Sequence, residues 1–260
     1  MSKHRGRAPR IAAVLIVFFI LGIIVYFLFF NISDILQPSL GIPTVGENWA
    51  GYVAASNLFF PQSTVTGVSA SWVVPAVQNT GSNAYSSVWV GIGGQFDKSL
   101  IQVGTEQDSA NGSPKYYAWY EMLPNNQVII DNMQISPTDQ INASISLIDS
   151  NTNTWSISIS DQTTGKNFQQ NLQYNSAKLT AEWIIERPAI NGALTNLANF
   201  GSVTFANCQA AISGKTGAIS DFTHNKVFMQ PEIKNNQSLQ LINISALTDN
   251  GKQFSVSYIG

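Results

Sequence analysis

Two patterns of hydrophobic and polar residues divide the chain. Residues 11–30 read IAAVLIVFFILGIIVYFLFF, an apolar run without a single charge. At roughly 1.5 Å of rise per residue, a helix of this length crosses the ~30 Å hydrocarbon core of a bilayer. From Asn48 onward, apolar and polar residues alternate with the period of two that is typical of half-buried strands. The sequence therefore predicts one transmembrane helix followed by an all-β domain.

Basic residues flank the apolar run on its N-terminal side only, and the first charge after the run is Asp34. The flanking basic residues are Lys3, Arg5, Arg7 and Arg10. By the positive-inside rule, residues 1–10 are expected to be cytoplasmic and the remainder exported. A cleaved signal peptide would have a shorter apolar core and a small-residue cleavage site, which FLFFN at 27–31 does not offer. We therefore predict an uncleaved single-pass anchor in the cell membrane, with an extracellular β domain.

Turn residues and strands define the organisation beyond the anchor. Residues 31–47 are a predicted linker because glycine and proline recur too often for a long element. Residues 48–260 form one predicted domain. Its clearest predicted strands are 68–74, 87–92, 116–122, 141–147, 155–159, 179–185, 203–205 and 254–258, and a hairpin turn is predicted at 163–166. This arrangement predicts an antiparallel two-sheet β-sandwich of the jelly-roll or concanavalin-like kind.

Composition limits the partners of the exported part. Without the four N-terminal basic residues, nine Lys and Arg remain against fifteen Asp and Glu, a net charge of −6. This sign disfavours nucleic acid and acidic lipid surfaces. Charged residues are only 11% of the chain, so the net charge changes little as pH falls, which suits an acidic exterior. Sequons beyond the apolar run agree with export; they begin at Asn31, Asn111, Asn142, Asn236 and Asn243.

Several kinds of chemistry are excluded by counting residues. Cys208 is the only cysteine and His224 the only histidine beyond the anchor, so neither a disulfide, a thiolate site nor a multi-histidine metal site is expected. We predict no metal and no cofactor. His224 lies in the polar segment DFTHNK, and the chain has no Gly-x-Ser-x-Gly elbow, which favours a surface loop residue over a catalytic base. The glycines of WVGIGG at 89–94 indicate a bulge or a close backbone approach.

Acid and base chemistry must then come from carboxylates and amides. In the predicted strand LTAEWIIE, one face carries apolar residues and the other carries Glu182 at mid-strand. The ordinary interpretation of this pattern is a solvated glutamate on the outer face. The same pattern is also consistent with a catalytic role for Glu182.

Several segments together resemble the glutamic peptidases, or eqolisins, known chiefly as acid-acting secreted fungal enzymes. They occur in the family's order and, with FSVSY near the C-terminus, span nearly the whole exported domain. The segments are NWAGY (48–52), GVSASWVVP (67–75), VWVGIGG (88–94), LIQVGTE (100–106), YYAWYEMLP (116–124), AEWIIERP (181–188) and FGSVTF (200–205).

The resemblance implies an antiparallel two-sheet sandwich with a concave substrate face, and hydrolysis of protein or peptide substrates. It implies Gln102, in LIQVG, and Glu182, in AEWI, as the catalytic pair. Such a glutamate takes a proton from an attacking water and returns it to the leaving amine. The neutral amide orients the water and donates a hydrogen bond to the developing oxyanion.

Four further residues are implied as substrate-binding. Trp89 and Glu121 match family positions near the cleft, and alternation places Trp119 on the same face as Glu121. A core position for both tryptophans is equally consistent with the pattern. Glu106 stands where the family usually has aspartate.

The chain also departs from the family, which carries aspartates where this chain has Gly93 and Tyr117. These departures bear on substrate preference and pH optimum. The rival interpretation is a non-catalytic sugar- or peptide-binding module on the cell surface, because sandwiches with aromatic grooves commonly hold such ligands. The presence of both Gln102 and Glu182 favours the enzyme.

Overall fold

The computed structural model describes residues 48–79, 81–190, 192–230, 232–234 and 237–260. The predicted anchor (11–30) and most of the predicted linker lie outside this part of the chain. In the described ranges, no helix is long and apolar enough to cross a membrane.

Short strands make up nearly all of the regular structure in the described residues, together with one 3-10 turn, Ile219–Asp221. In chain order the strands are β1 (Trp49–Ala55), β2 (Val65–Val73), β3 (Ser87–Gly93), β4 (Leu100–Ala110), β5 (Ser113–Met122), β6 (Val128–Ile129), β7 (Gln140–Asp149), β8 (Thr154–Asp161), β9 (Lys166–Gln173), β10 (Ala181–Glu186), β11 (Ala189–Ile190), β12 (Ala193–Leu194), β13 (Ser202–Ile212), β14 (Lys215–Gly217), β15 (Thr223–Val227), β16 (Glu232–Lys234), β17 (Gln237–Leu239), β18 (Ile242–Ile244) and β19 (Phe254–Tyr258). The predicted hairpin turn joins β8 to β9 as expected.

The strands form two large antiparallel sheets. The seven-stranded sheet has the order β15-β1-β10-β3-β4-β5-β6. The eight-stranded sheet has the order β18-β19-β13-β2-β7-β8-β9, with β14 beside β13. The prediction of an antiparallel two-sheet sandwich is therefore confirmed.

The main core lies between the facing sides of the two sheets. It combines residues such as Val90 and Trp183 of the seven-stranded sheet with Ile145 and Phe205 of the eight-stranded sheet. The indole Nε1 of Trp183 donates a 2.9 Å hydrogen bond to the carbonyl of Ser69 on β2. This bond ties the strand that carries Glu182 to the opposite sheet.

The other side of the seven-stranded sheet, which we call the outer face, bears a second apolar cluster. Its buried members include Trp49, Trp89, Trp119, Ile184 and Leu58. Alternation along β10 explains the division, because Trp183 and Ile185 enter the main core while Glu182, Ile184 and Glu186 share the outer face. The sheet is therefore covered on both sides, and its outer face contains buried polar groups.

Candidate active site

One cross-strand row of the outer face contains the two predicted catalytic residues. Glu182 on β10 pairs with Gly91 on β3, and Gly91 pairs with Gln102 on β4. The row continues to Glu121 on β5. Two strand spacings place the Cα atoms of Gln102 and Glu182 about 10 Å apart. Their side chains therefore project from one face across a residue that has no side chain.

Gly91 is required by what packs above it. A Cβ atom at this position would lie 2.8 Å from Cζ3 of Trp89 and 3.1 Å from Cδ1 of Leu100. The rings and methyl groups of the outer face thus fill the space that a side chain at 91 would occupy. Glycine leaves Gln102 and Glu182 without an intervening side chain and keeps Trp89 close to the sheet.

Glu182 is fully buried, with 0% of its surface exposed, which corrects the ordinary expectation of a solvated glutamate. Burial raises its pKa well above the usual value, and the charge of Asp97 adds to the rise. The hydroxyl of Thr180 and the N–H of Gly93 lower this pKa. Neither carboxylate oxygen has a well-aligned hydrogen-bond partner among the described protein groups. Both oxygens therefore retain unused hydrogen-bond acceptor capacity.

Gln102 is oriented by its neighbour in the row. Its Nε2 donates a 2.6 Å hydrogen bond to Oε2 of Glu121, while its Oε1 is buried and has no partner in the described part of the chain. Burial raises the pKa of Glu121, and this hydrogen bond lowers it. Glu121 is partly exposed, so the row runs from a buried glutamate to solvent.

Trp89 and Trp119 lie on the outer face in the row next to Gln102 and Glu182, and both are buried. The Nε1 of Trp89 donates a 2.8 Å hydrogen bond to Glu186, and the ring meets that of Trp49 edge-on at 4.8 Å. Nε1 of Trp119 has no partner within the described residues. Substrate contact by these two side chains stays a prediction.

Glu186 is a site residue that the sequence analysis did not single out. It accepts hydrogen bonds from Asn48 at 2.6 Å and from Trp89 at 2.8 Å. Burial raises its pKa to about 7, while these bonds lower it. Alternation along β10 could have identified it, because it lies two residues from Glu182 on the same face.

Glu106 and Asp108 are two neighbouring buried carboxyl groups on β4, which we call the carboxyl pair. Their exposed fractions are only 3% and 4%. Burial raises the pKa of Glu106 well above its ordinary value, and the charge of Asp108 adds to this rise. Burial raises the pKa of Asp108 to about 6, although its hydrogen bond with Glu106 lowers it. Each carboxyl therefore makes ionisation of the other less favourable. Substrate binding by Glu106 stays a prediction, and Asp108 was missed.

The structure gives a physical reason for the glycine at 93. Gly93 has φ +94°, and a Cβ there would lie 2.2 Å from the carbonyl oxygen of Ser99. An aspartate does not fit this turn. Tyr117, the other departure, lies opposite Glu106, so a phenol faces the buried carboxyl pair, whose charges add to the effect of burial in raising the pKa of that phenol.

Tyr174 braces the ends of the two strands that carry Gln102 and Glu121. Its hydroxyl accepts a 2.7 Å hydrogen bond from the N–H of Leu100 and donates a 2.8 Å bond to the carbonyl of Leu123. Its own carbonyl accepts from Nε1 of Trp155 in the opposite sheet at 3.0 Å. Tyr174 therefore connects β4 and β5, through its hydroxyl, to the second sheet, through its carbonyl.

The remaining titratable candidates lie away from the row. Cys208 is buried in the main core, and burial raises its pKa. His224 lies on the edge strand β15, where Nδ1 is 2.9 Å from the carbonyl of Phe222. Across the described ranges, no group of three or more metal-ligating side chains is assembled.

Comparison with known proteins identifies the family. The profile of the Peptidase A4 family matches residues 47–258. The chain belongs to the Peptidase A4 family. As a Peptidase A4 member it is a glutamic endopeptidase, as the seven sequence segments had indicated.

Relatives of this Peptidase A4 chain agree in sequence and fold. It is similar to aspergillopepsin-2 of Aspergillus niger, with 29% identity over 201 residues, covering 68% of each protein. It also resembles the crystal structure of scytalido-glutamic peptidase with a transition-state analogue inhibitor, with a TM-score of 0.66 and 25% identity over 82% of this chain and 98% of that one. The crystal structure of aspergilloglutamic peptidase from Aspergillus niger matches with a TM-score of 0.57 and 28% identity over 68% and 99%.

Proposed function

We propose that this chain is a membrane-tethered endopeptidase that hydrolyses peptide bonds with Gln102 and Glu182. It acts on unfolded or extended protein outside the cell at acidic pH. The observation that carries this proposal is the shared row on the outer face, in which the two side chains stand on either side of Gly91. Their unpartnered buried oxygens provide sites for a water between them.

Glu182 is assigned the proton transfers. As the water oxygen bonds to the substrate carbonyl carbon, a carboxylate oxygen of Glu182 takes a proton from that water. The same proton then passes to the leaving nitrogen as the carbon–nitrogen bond breaks, which restores the carboxylate. Burial raises the pKa of Glu182, which makes the ionised carboxylate a stronger base. Because only this ionised form can accept the proton, the rate should decrease as pH falls below the raised pKa.

Gln102 is assigned the orientation of water and the stabilisation of the oxyanion. Its Oε1 can accept a hydrogen bond from the attacking water, and Nε2 retains a second hydrogen beyond the one given to Glu121. That hydrogen can be donated to the developing oxyanion without any change in the charge of the amide. The division of roles needs neither imidazole nor thiol.

Complexes of related proteins support a peptide ligand. Scytalido-glutamic peptidase is known with a peptide-based transition-state analogue. The eqolisin SCP-B is known with the tripeptide Ala-Ile-His, and it matches this chain with a TM-score of 0.62 and 25% identity over 82% of this chain and 98% of that one. We extend this ligand class to the outer face of the present chain.

The decisive experiment is peptide hydrolysis by residues 45–260, measured from about pH 2 to about pH 7. Glu182→Gln removes the proton acceptor and should lower the rate by ~10² to 10⁴-fold. Gln102→Ala should cost on the order of 3 kcal/mol of transition-state stabilisation, mainly in kcat. Gln102→Glu places a second carboxylate in the row, and surviving activity should have an altered pH profile.

Near-UV circular dichroism first establishes that each variant is folded. Parental hydrolysis by both Glu182→Gln and Gln102→Ala would refute the pair and favour the binding-module interpretation.

The membrane location rests on the charge-free run 11–30 and its basic flank. Protease added to intact cells should digest the exported domain and leave an N-terminal epitope protected. Protection of the whole chain would contradict the proposed topology.

A further inference from the structure

The loop between β1 and β2 is an ordered turn built by a side chain. Oδ1 of Asn57 accepts hydrogen bonds from the N–H groups of Phe59 at 2.8 Å and Phe60 at 3.2 Å. Nε2 of Gln62 donates a 3.1 Å bond to the carbonyl of Phe60. The positions of both phenylalanines are therefore fixed by the loop's own backbone contacts.

This loop joins the outer face through one residue and presents the next two to solvent. Leu58 is 6% exposed and belongs to the apolar cluster that contains Trp89 and Trp119. Phe59 and Phe60 are 65% and 75% exposed, the two most exposed large apolar side chains of the described residues. Adjacent aromatic rings held in water beside a functional face indicate a binding surface.

The loop also begins near the catalytic row. Val53 on β1 pairs with Glu182, and Ala54 pairs with Ala181. The loop starts at Ser56, three residues beyond Val53, which is about 10 Å along a strand. Phe59 and Phe60 follow in the same loop, so both lie beyond the Ala55 end of β1, the end at which Ala54 pairs with Ala181.

We infer that Phe59 and Phe60 form a specificity-determining subsite for apolar side chains of the substrate, beyond the Ala55 end of β1. This inference rests on the proposed peptidase function. It defines the preferred substrate as an unfolded polypeptide with large apolar side chains, which a folded protein keeps inside. Apolar rings bind such side chains by excluding water from both.

A polypeptide fits this location better than a bilayer does. Asn48, through which residues 1–47 are attached, lies at the opposite end of β1 from the loop. Leu58 makes the loop continuous with the apolar cluster beside the catalytic row.

The test compares two series of peptides of about ten residues. They are identical except for Leu or Ser at a single position, which is moved in turn along both sides of the scissile bond. The full-length chain in detergent micelles should cleave the Leu series about tenfold more efficiently in kcat/KM. Phe59→Ser combined with Phe60→Ser should reduce this ratio to below about threefold, through KM. Phe228→Ser is the matched control, because Phe228 is 55% exposed beyond β15 and should keep the parental ratio.

Each outcome decides the inference. A parental ratio in the double variant would overturn it, as would an equal decrease in Phe228→Ser. A parent that cleaves both series equally refutes the subsite while leaving the proposed function intact, whereas a parent that cleaves neither refutes both. An effect seen in phosphatidylcholine vesicles and absent in micelles would assign the two rings to a bilayer contact. Thermal unfolding of all variants is measured alongside, and the exposed positions should leave it unchanged.

Discussion

The amide of Gln102 donates a 2.6 Å hydrogen bond to the carboxylate of Glu121, its cross-strand partner. Because the amide group is planar, a hydrogen bond from one of its hydrogens also fixes the directions of its other hydrogen and of its oxygen. Glu121 therefore orients the amide of Gln102, although it lies one strand farther from Glu182.

Removing this partner should reduce catalysis without dismantling the sheet. A charge-assisted hydrogen bond contributes about 1.5 to 3 kcal/mol, so Glu121→Ala should lower kcat about 10- to 100-fold. Glu121→Gln retains an acceptor oxygen and should lose less. Steady-state hydrolysis of one peptide by both variants checks the order. A Glu121→Gln variant less active than Glu121→Ala would show that orientation is not the role of this residue.

Gly91→Ala tests whether the row requires a residue without a side chain between Glu182 and Gln102. The added Cβ would meet the ring of Trp89 at 2.8 Å, and overpacking of this kind costs about 1 to 3 kcal/mol. Displacing the ring also strains its hydrogen bond to Glu186. We expect lower kcat and a lower unfolding temperature. Gly67→Ala on β2 is the control, because its Cβ would meet Ala211 at 3.3 Å, away from the row. Equal losses in both variants would contradict a local effect.

Stability should decrease as pH rises, because the folded chain raises the pKa of several carboxyls. These include Asp108, at about 6, and Glu186, at about 7. A raised folded pKa contributes stability that is complete below the unfolded value near ~4 and is lost as pH rises through the folded value. The free energy of unfolding should therefore decrease between about pH 4 and about pH 7, by up to ~1.4 kcal/mol per pH unit for each extra proton bound. Denaturant unfolding at several pH values measures this slope.

Asp108→Asn should make that pH dependence less steep, because it removes one of two buried carboxyls that repel each other when ionised. Asp149→Asn is the control. Its carboxylate is exposed and has a lowered pKa, so it titrates below this pH range. A slope unchanged by Asp108→Asn would exclude the pair as a source of the effect.

Tyr174→Phe should loosen the ends of β4 and β5 without emptying the core. The lost hydroxyl accepts a hydrogen bond from the N–H of Leu100 and donates one to the carbonyl of Leu123. Together, two such bonds contribute about 1 to 3 kcal/mol to the free energy of unfolding. If the bonds position Gln102, kcat should fall about tenfold, with a smaller change in KM. Tyr52→Phe loses a comparable bond, 3.0 Å to the carbonyl of Ser245. A matching decrease in kcat for Tyr52→Phe would reduce the role of Tyr174 to general stability.

Alternation in the sequence correctly predicted β8 and β10. In β8 it reflects one face in the core and one partly exposed face, whereas both faces of β10 are buried. β4 was missed because its alternation breaks down at residues 105–109, where five polar residues follow one another, although the whole strand from Leu100 to Ala110 is buried. Gln102 could therefore be identified only through the family resemblance. Burial of Glu182 was also unpredictable, since it depends on the outer apolar cluster, whose members come from distant segments.

The strand order has a consequence for how the site is made during biosynthesis. β10 lies between β1 and β3, so these two early strands have no direct pairing with each other. The predicted catalytic row is completed only when β10 has been synthesised and inserted between strands that precede it by many residues. A nascent chain that already contains Gln102 lacks Glu182 until 80 further residues have been added. A chain that ends before β10 therefore cannot assemble the proposed pair.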